Sequence, residues 1–405
     1  MSGAQVNRIL AAKGMRAVGD GYVSVLLPVY LLQLGCSPLE VGILASVTLL
    51  GSGVLALAAG LYAHRFHYRA LLLGATALMA GTGLGFAFVS DFWPLLVIAF
   101  VGTLNPSSGD VSVFLPLEHS LLARFVSDRD RTAVFARYAL AGTLVAAIGS
   151  LAAGTPSLVA ASTGWPQRAC LQAMFVAYAM LGVAIAFVYR GLPPQLASSA
   201  KRAAPLGPSR RAVLTLAALF SLDSFGGGFV VQSLVALWLY QRYDLSLAAA
   251  GTLFFATGLM SAFSYLVAVR IARSIGLVNT MVFTHLPANL CLVAIPFADD
   301  LAVAIALLCV RSLLSQMDVP TRNSYVMAIV TPEERPAAAS ITAVPRSLAS
   351  AASPLLAGYL LSLSTFGWPL VAAGGIKIAY DLALLATFRK VRPPEEGEAS
   401  ACARA

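Results

Sequence analysis

The sequence predicts an all-α membrane protein: twelve transmembrane helices arranged as two pseudo-symmetric six-helix halves. Composition is the first reason. Of 405 residues, 59% are hydrophobic and only 11% are charged, whereas soluble domains carry about 25% charged residues. Mean hydropathy is +0.81. A soluble globule of this length needs more polar surface than that, which excludes a cytosolic enzyme. The second reason is that apolar runs of about 20 residues, the length of a membrane span, recur from end to end. The third is an internal repeat. A shift of 204 residues lays Pro116 on Pro320, Ser120 on Ser324, Arg131 on Arg335 and Gly154 on Gly358 without a gap.

The spans follow in order. Six are expected at about residues 9–34, 39–63, 70–89, 93–122, 133–158 and 169–189, and six more at about 212–240, 245–272, 277–297, 301–330, 337–362 and 368–388. Between the sixth and seventh lies a segment rich in Pro, Ser, Ala and basic residues with no apolar periodicity. The expected organisation is therefore an N-terminal half (1–190), a cytoplasmic linker (191–211), a C-terminal half (212–389) and a cytoplasmic tail (390–405). Arg8, Lys13 and Arg16 precede or enter the first run, which lacks a small-residue cleavage site and carries Asp20. It reads as a retained helix, not a signal peptide.

Basic residues in the loops set the orientation. With the N-terminus inside, the inner loops hold Arg65, Arg69, Arg124, Arg129, Arg131, Lys201, Arg202, Arg210, Arg211, Arg273, Arg335, Arg389, Lys390 and Arg392. The outer loops hold only Arg168 and Arg242, beside Asp91, Asp244, Asp299 and Asp300. Both termini are thus expected in the cytoplasm of a plasma (inner) membrane. The net charge of +9 reflects this topology, and no nucleic-acid partner is implied. Two six-helix halves joined by a basic linker form a transporter architecture, with a site between the repeats near the midplane.

The arrangement resembles the major facilitator superfamily over nearly the whole chain. That family carries a G-x-L-a-D-r-x-G-r-k signature between its second and third spans. Here the stretch reads Gly60, Leu61, Tyr62, Ala63, His64, Arg65, Phe66, His67, Tyr68, Arg69. Gly60, Ala63, Arg65 and Arg69 fit, whereas His64 replaces the acid and His67 the second glycine. The resemblance implies the twelve-helix fold and a latch role for Arg65 and Arg69. It does not name a cargo, because one scaffold hosts many.

Charges inside the spans are the candidate functional residues, since each costs about 2.5–3.5 kcal/mol on insertion scales unless it faces a partner or a cavity. Asp20, Asp110 and Asp223 are the candidate proton carriers. Asp20 lies four residues from Arg16, on one helical face, so a local ion pair is the structural alternative. Gly19 and Gly21 flank it and admit close neighbours. Asp110 closes an Asn105-Pro106-Ser107-Ser108-Gly109-Asp110 stretch that should bend its helix. Asp223 precedes Gly226-Gly227-Gly228. Glu118 and Arg322 are repeat equivalents of opposite charge and are the candidate inner gate, with Asp318, Arg137 and Arg346 as further members. Asp318 and Arg322, and likewise Lys377 and Asp381, are four apart and would pair locally. Tyr22, Tyr30, Phe225, Phe229 and Trp238 are candidate cavity-lining aromatics, with packing as their alternative role.

The absence of other motifs narrows the reaction class. There is no G-x-x-x-x-G-K-[ST] loop for ATP, no G-x-S-x-G nucleophile and no H-E-x-x-H zinc motif. No C-x-x-C pair occurs among the five cysteines, and a Cys36–Cys170 disulfide is not expected. No cofactor or metal is expected. The functional expectation is a monomeric secondary transporter moving a small organic solute by alternating access, with proton-coupled efflux first and proton-coupled metabolite uptake as the alternative. A non-transporting sensor or scaffold on the same fold is the third reading. The expected partners are the solute, protons and the lipid bilayer.

Overall fold

A computed structural model describes residues 2–62, 66–107, 112–126, 128–193, 207–331 and 334–389. Sixteen α-helices occur in chain order with no β-strand among the described residues: α1 Ser2–Gln33, α2 Pro38–Tyr62, α3 Tyr68–Phe88, α4 Phe92–Val101, α5 Phe114–Phe125, α6 Asp128–Leu151, α7 Thr155–Thr163 and α8 Gln167–Arg190; then α9 Arg210–Gly228, α10 Gln232–Tyr243, α11 Leu247–Ile275, α12 Leu277–Ala294, α13 Leu301–Ser315, α14 Asp318–Ala328, α15 Arg335–Leu363 and α16 Trp368–Phe388. Their order matches the twelve expected spans, because four spans are built from two helices each. Among the described residues, nine helices or joined helix pairs are long and apolar enough to cross a membrane unaided, and Phe92–Val101 and Leu301–Ser315 are shorter apolar helices.

The four breaks have local causes. The fourth span stops at Val101, and Pro106 follows where an N–H donor would be needed. The seventh divides after Gly226-Gly227-Gly228, since each glycine is about 1 kcal/mol less favourable in a helix than alanine. The fifth passes through a short 3₁₀ turn at Ala152–Gly154, with Pro156 in the first turn of α7. The tenth breaks between α13 and α14 at Gln316 and Met317. Pro116 and Pro320 each occupy the third position of a helix, α5 and α14 respectively. Proline is tolerated in a first turn, where the N–H would have no partner. The repeat in sequence is therefore a repeat of one structural device, the restart of a broken span.

Two compact units divide the chain: Met1–Ala200 with Val230–Leu259 and Pro354–Thr365, and Lys201–Phe229 with Met260–Ser353 and Phe366–Ala405. In the first, α1 crosses α6 so closely that a Cβ on Gly21 would lie 2.1 Å from the Ala146 carbonyl oxygen, and one on Gly149 would lie 2.4 Å from that of Val18. The expectation that Gly21 admits a close neighbour is thereby met. Tyr30, Phe86 and Phe175 stack at centroid distances of 4.8 and 5.4 Å. The same unit includes α10, whose Ser233 N–H donates to the Pro106 carbonyl at 3.0 Å and so fills part of the α4–α5 break.

In the second unit, Val213, Leu216, Phe220, Met281, Tyr325 and Tyr380 form a buried core from α9, α12, α14 and α16. Large apolar side chains elsewhere face outward, including Phe88, Val97, Leu158 and Phe187, as a lipid-facing surface requires. Trp93, Trp165 and Trp368 are exposed at or just before helix starts.

Candidate functional site

A buried ionic network in the second unit centres on Asp223 of α9. Its Oδ1 accepts from Lys377 Nζ of α16 at 2.6 Å, and its Oδ2 accepts from Arg322 Nη1 of α14 at 3.0 Å. His285 of α12 turns Nε2 toward Asp223 Oδ1 at 3.9 Å and holds Asp381 Oδ1 with Nδ1 at 2.9 Å. Asn289 donates to the other Asp381 oxygen at 2.9 Å. Because Asp381 offers only acceptors when ionised, the proton of a neutral His285 sits on Nδ1. Nε2 is then free to take a second proton facing Asp223. Arg322 also meets Asp318 at 3.5 Å and lies over the Phe220 ring at 5.4 Å. Asp223, Arg322, Lys377, His285, Asp318 and Asp381 are all buried.

Local pairing accounts for only part of this network. The expected Asp318–Arg322 contact forms, but the expected Lys377–Asp381 pair does not. Lys377 reaches across to α9, and Asp381 is taken by His285 and Asn289. Two carboxylates of one cluster are thereby satisfied by different helices. That ties α9, α12, α14 and α16 together more firmly than an i,i+4 pair on one helix could. Two more arginines belong to the same region. Arg346 of α15 donates from Nε to Ser224 Oγ at 3.2 Å. The buried Nε of Arg311 on α13 has no hydrogen-bond partner.

The first unit holds a second network, centred on Glu118 of α5. Arg16 of α1 meets it with two nitrogens, at 2.7 and 3.3 Å. The hydroxyls of Tyr189 (2.5 Å) and Tyr138 donate to the same carboxylate. Both charged side chains are almost fully buried, and Arg16 packs over the Phe114 ring at 4.2 Å. Arg16 thus takes a carboxylate 102 residues away in the chain. The repeat now acquires a physical meaning. In each unit the first helix of the half bonds the restarted part of its fourth span, as Arg16 with Glu118 and as Asp223 with Arg322. The signs are exchanged between the two.

The remaining sequence candidates fall as follows. Asp20 is buried on α1. Asp110 and Arg65 lie outside the described residues, and Gly60 lies near the end of α2. Arg69 donates to the Leu192 carbonyl at 3.4 Å. Arg137 is exposed on α6. Tyr22, Tyr30 and Trp238 are buried, each donating to a backbone carbonyl: those of Met174, Phe86 and Thr365. Phe225 and Phe229 pack edge to face at 5.4 Å. Sequence reasoning missed His285, Asn289, Tyr138 and Tyr189. The first two carried a usable signal, being polar, four apart and within an apolar span. Tyrosines in an apolar run carry no such signal. Cys36 and Cys170 are buried free thiols. Burial, with Glu40 beside it, pushes the Cys36 thiol up and keeps it unreactive. Among the described residues, no group of three or more His, Cys, Asp or Glu is placed to hold a metal.

Comparison with known proteins agrees with this architecture. The uncharacterized membrane protein YJR124C of Saccharomyces cerevisiae is 24% identical over 95% of this chain and 94% of its own. A bacterial homologue of the human lysosomal transporter Spinster, solved inward-facing and occupied, has a TM-score of 0.76 at 12% identity, over 96% of this chain and 97% of its own. The nucleoside transporter NupG gives 0.71 at 12% identity, over 95% and 99%. The human organic anion transporter MFSD10 gives 0.67 at 16%, over 95% and 99%. Likeness at such identities is a likeness of fold. The sequence profile of the Major Facilitator Superfamily matches residues 9–317, and the chain belongs to that superfamily of membrane transporters.

Proposed function

We propose that the chain is a proton-coupled secondary transporter that carries a small organic solute by alternating access, with Asp223 as its coupling acid. The observation that supports this reading is the sharing of one buried carboxylate by Lys377 and Arg322, with His285 Nε2 facing it. An ionised Asp223 holds α9, α14 and α16 together. A proton on Asp223, delivered directly or through His285, removes the anion that both cations need. A buried pair that loses one partner leaves the other charge uncompensated, at a cost of about 3–5 kcal/mol. A tenfold change in a two-state population takes only about 1.4 kcal/mol, so one proton suffices to redistribute conformers.

The Arg16–Glu118 network is the less suitable coupling site. Its carboxylate is satisfied by a double arginine contact and two phenols, and the neighbouring His119 packs on the Tyr138 ring at 5.0 Å. We assign it the role of a fixed strut. Export and uptake differ in one respect: in export the solute and the proton compete, and in uptake they travel together.

The test is solute flux in vesicles of defined orientation under an imposed pH gradient. Coupled transport predicts accumulation that a protonophore abolishes, while solute exchange at equal pH persists. Accumulation unaffected by the protonophore would remove proton coupling. The absence of both accumulation and exchange across a broad solute panel would favour a scaffold.

A further inference from the structure

The charges around Asp223 do not balance. The buried Arg322 and Lys377 and the half-buried Arg311 and Arg346 accompany three buried carboxylates, Asp223, Asp318 and Asp381, among the described residues. His285 adds a further positive charge whenever it is protonated. The three carboxylates are already used by Lys377, Arg322, His285 and Asn289. Arg346 spends one donor on a serine hydroxyl and has no carboxylate within ion-pair distance among the described residues. Arg311 has no ion pair among them either, and its buried Nε is unsatisfied. Arg346 of α15 reaches Ser224, the residue after Asp223, and Arg311 lies on α13 of the same compact unit.

An unpaired guanidinium within a span is costly, and retaining two of them calls for a counter-ion. A guanidinium presents a planar fork of donors that matches a carboxylate or a phosphate two bonds at a time. Tyr380 and Phe220 pack beside the charges within the buried core. We propose that the transported solute is an organic anion, bearing a carboxylate or a phosphate ester, held by Arg346 and Arg311. The inference rests on the transporter reading above and adds the class of cargo. It also settles how proton and solute relate. A proton on Asp223 increases the local positive charge and strengthens the hold on an anion, so the two travel together.

Equilibrium binding tests this without any gradient. Thermal unfolding of the purified full chain is measured with benzoate and glycerol 3-phosphate as anions, benzamide as a neutral counterpart and benzylammonium as a cation, each at millimolar concentration. At least one anion should raise Tm by mass action, and whether benzoate or glycerol 3-phosphate does so separates the two anion types. Arg346→Gln and Arg311→Gln should each weaken that binding at least about tenfold, the loss expected for a charge-assisted bond. Arg346→Lys and Arg311→Lys keep the charge and should bind with intermediate affinity. Arg190→Gln, at the exposed end of α8, should bind as the unaltered chain does. Stabilisation by benzamide or benzylammonium with both anions silent would overturn the proposal. So would silence of the whole panel, or an anion shift undiminished in the Arg311→Gln/Arg346→Gln double variant. Anion binding of the predicted kind together with protonophore-insensitive flux would remove proton coupling and leave the cargo assignment intact.

Discussion

Glu118 shows what a buried charge needs in a membrane protein. It is completely buried, and Arg16, Tyr138 and Tyr189 all donate to its carboxylate. Glu118→Gln leaves Arg16 without its anion, so unfolding in detergent should lose about 3–5 kcal/mol. The double change Arg16→Met with Glu118→Leu should recover most of that loss, because an apolar pair of similar volume avoids desolvation altogether. A double variant no more stable than Glu118→Gln would mean that the tyrosines, not the ion pair, carry the cost. The acids themselves were legible in the sequence, since a charge in an apolar run stands out. Their partners were not. Local spacing suggested Asp20 for Arg16 and Asp381 for Lys377, whereas the observed partners are 102 and 154 residues distant. Such pairings are created by helix packing, which an isolated span does not encode.

Helix existence was readable from apolar periodicity, and helix continuity was not. A bend was expected in the fourth span at Asn105–Asp110 and none in the tenth, yet each span is two helices, with Pro116 and Pro320 in the first turns of the restarts. The α1–α6 crossing supplies a prediction at this scale. Any side chain at Gly21 meets backbone, not a movable side-chain tip. Gly21→Ala should therefore lose about 1–3 kcal/mol through overpacking, read as lowered Tm, whereas Gly14→Ala on the same helix, with open space around it, should not.

The linker ends are pinned as well. Arg8 and Arg69 donate to the carbonyls of Gly191 and Leu192, and Glu334 accepts from the Gly207 amide and from Ser209. These bonds hold the Glu334 carboxyl below its usual value of 4.5. A depressed folded-state value means the clamp contributes fully above about pH 4.5 and is lost as pH falls below it. Amide exchange at residues 207–209 should therefore lose protection at acid pH, and Glu334→Gln should show the same loss at neutral pH. Unchanged protection in that variant would show that the clamp does not hold the segment.

At the scale of the whole molecule, the fold class and the repeat were legible in the sequence, because a bilayer imposes length and apolarity directly on the chain. The repeat also pointed to Glu118 and Arg322 as matched positions of opposite sign. What it did not disclose is that each is bonded by the first helix of its own half. The loop charges predict the N-terminus inside, and that expectation is open to measurement. Introduced thiols at Asp91 and Asp299, both exposed, should react with an impermeant reagent in intact cells, and a thiol at Arg210 should not. Labelling at position 210 would invert the assignment.

The central claim is that Asp223 couples proton movement to solute movement. The most direct measurement compares the unaltered chain with Asp223→Asn in the same proteoliposomes, recording solute accumulation under a pH gradient and solute exchange at equal pH. The account predicts that Asp223→Asn loses gradient-driven accumulation while exchange continues. Accumulation in Asp223→Asn that equals the unaltered chain, with the same dependence on pH, would contradict it.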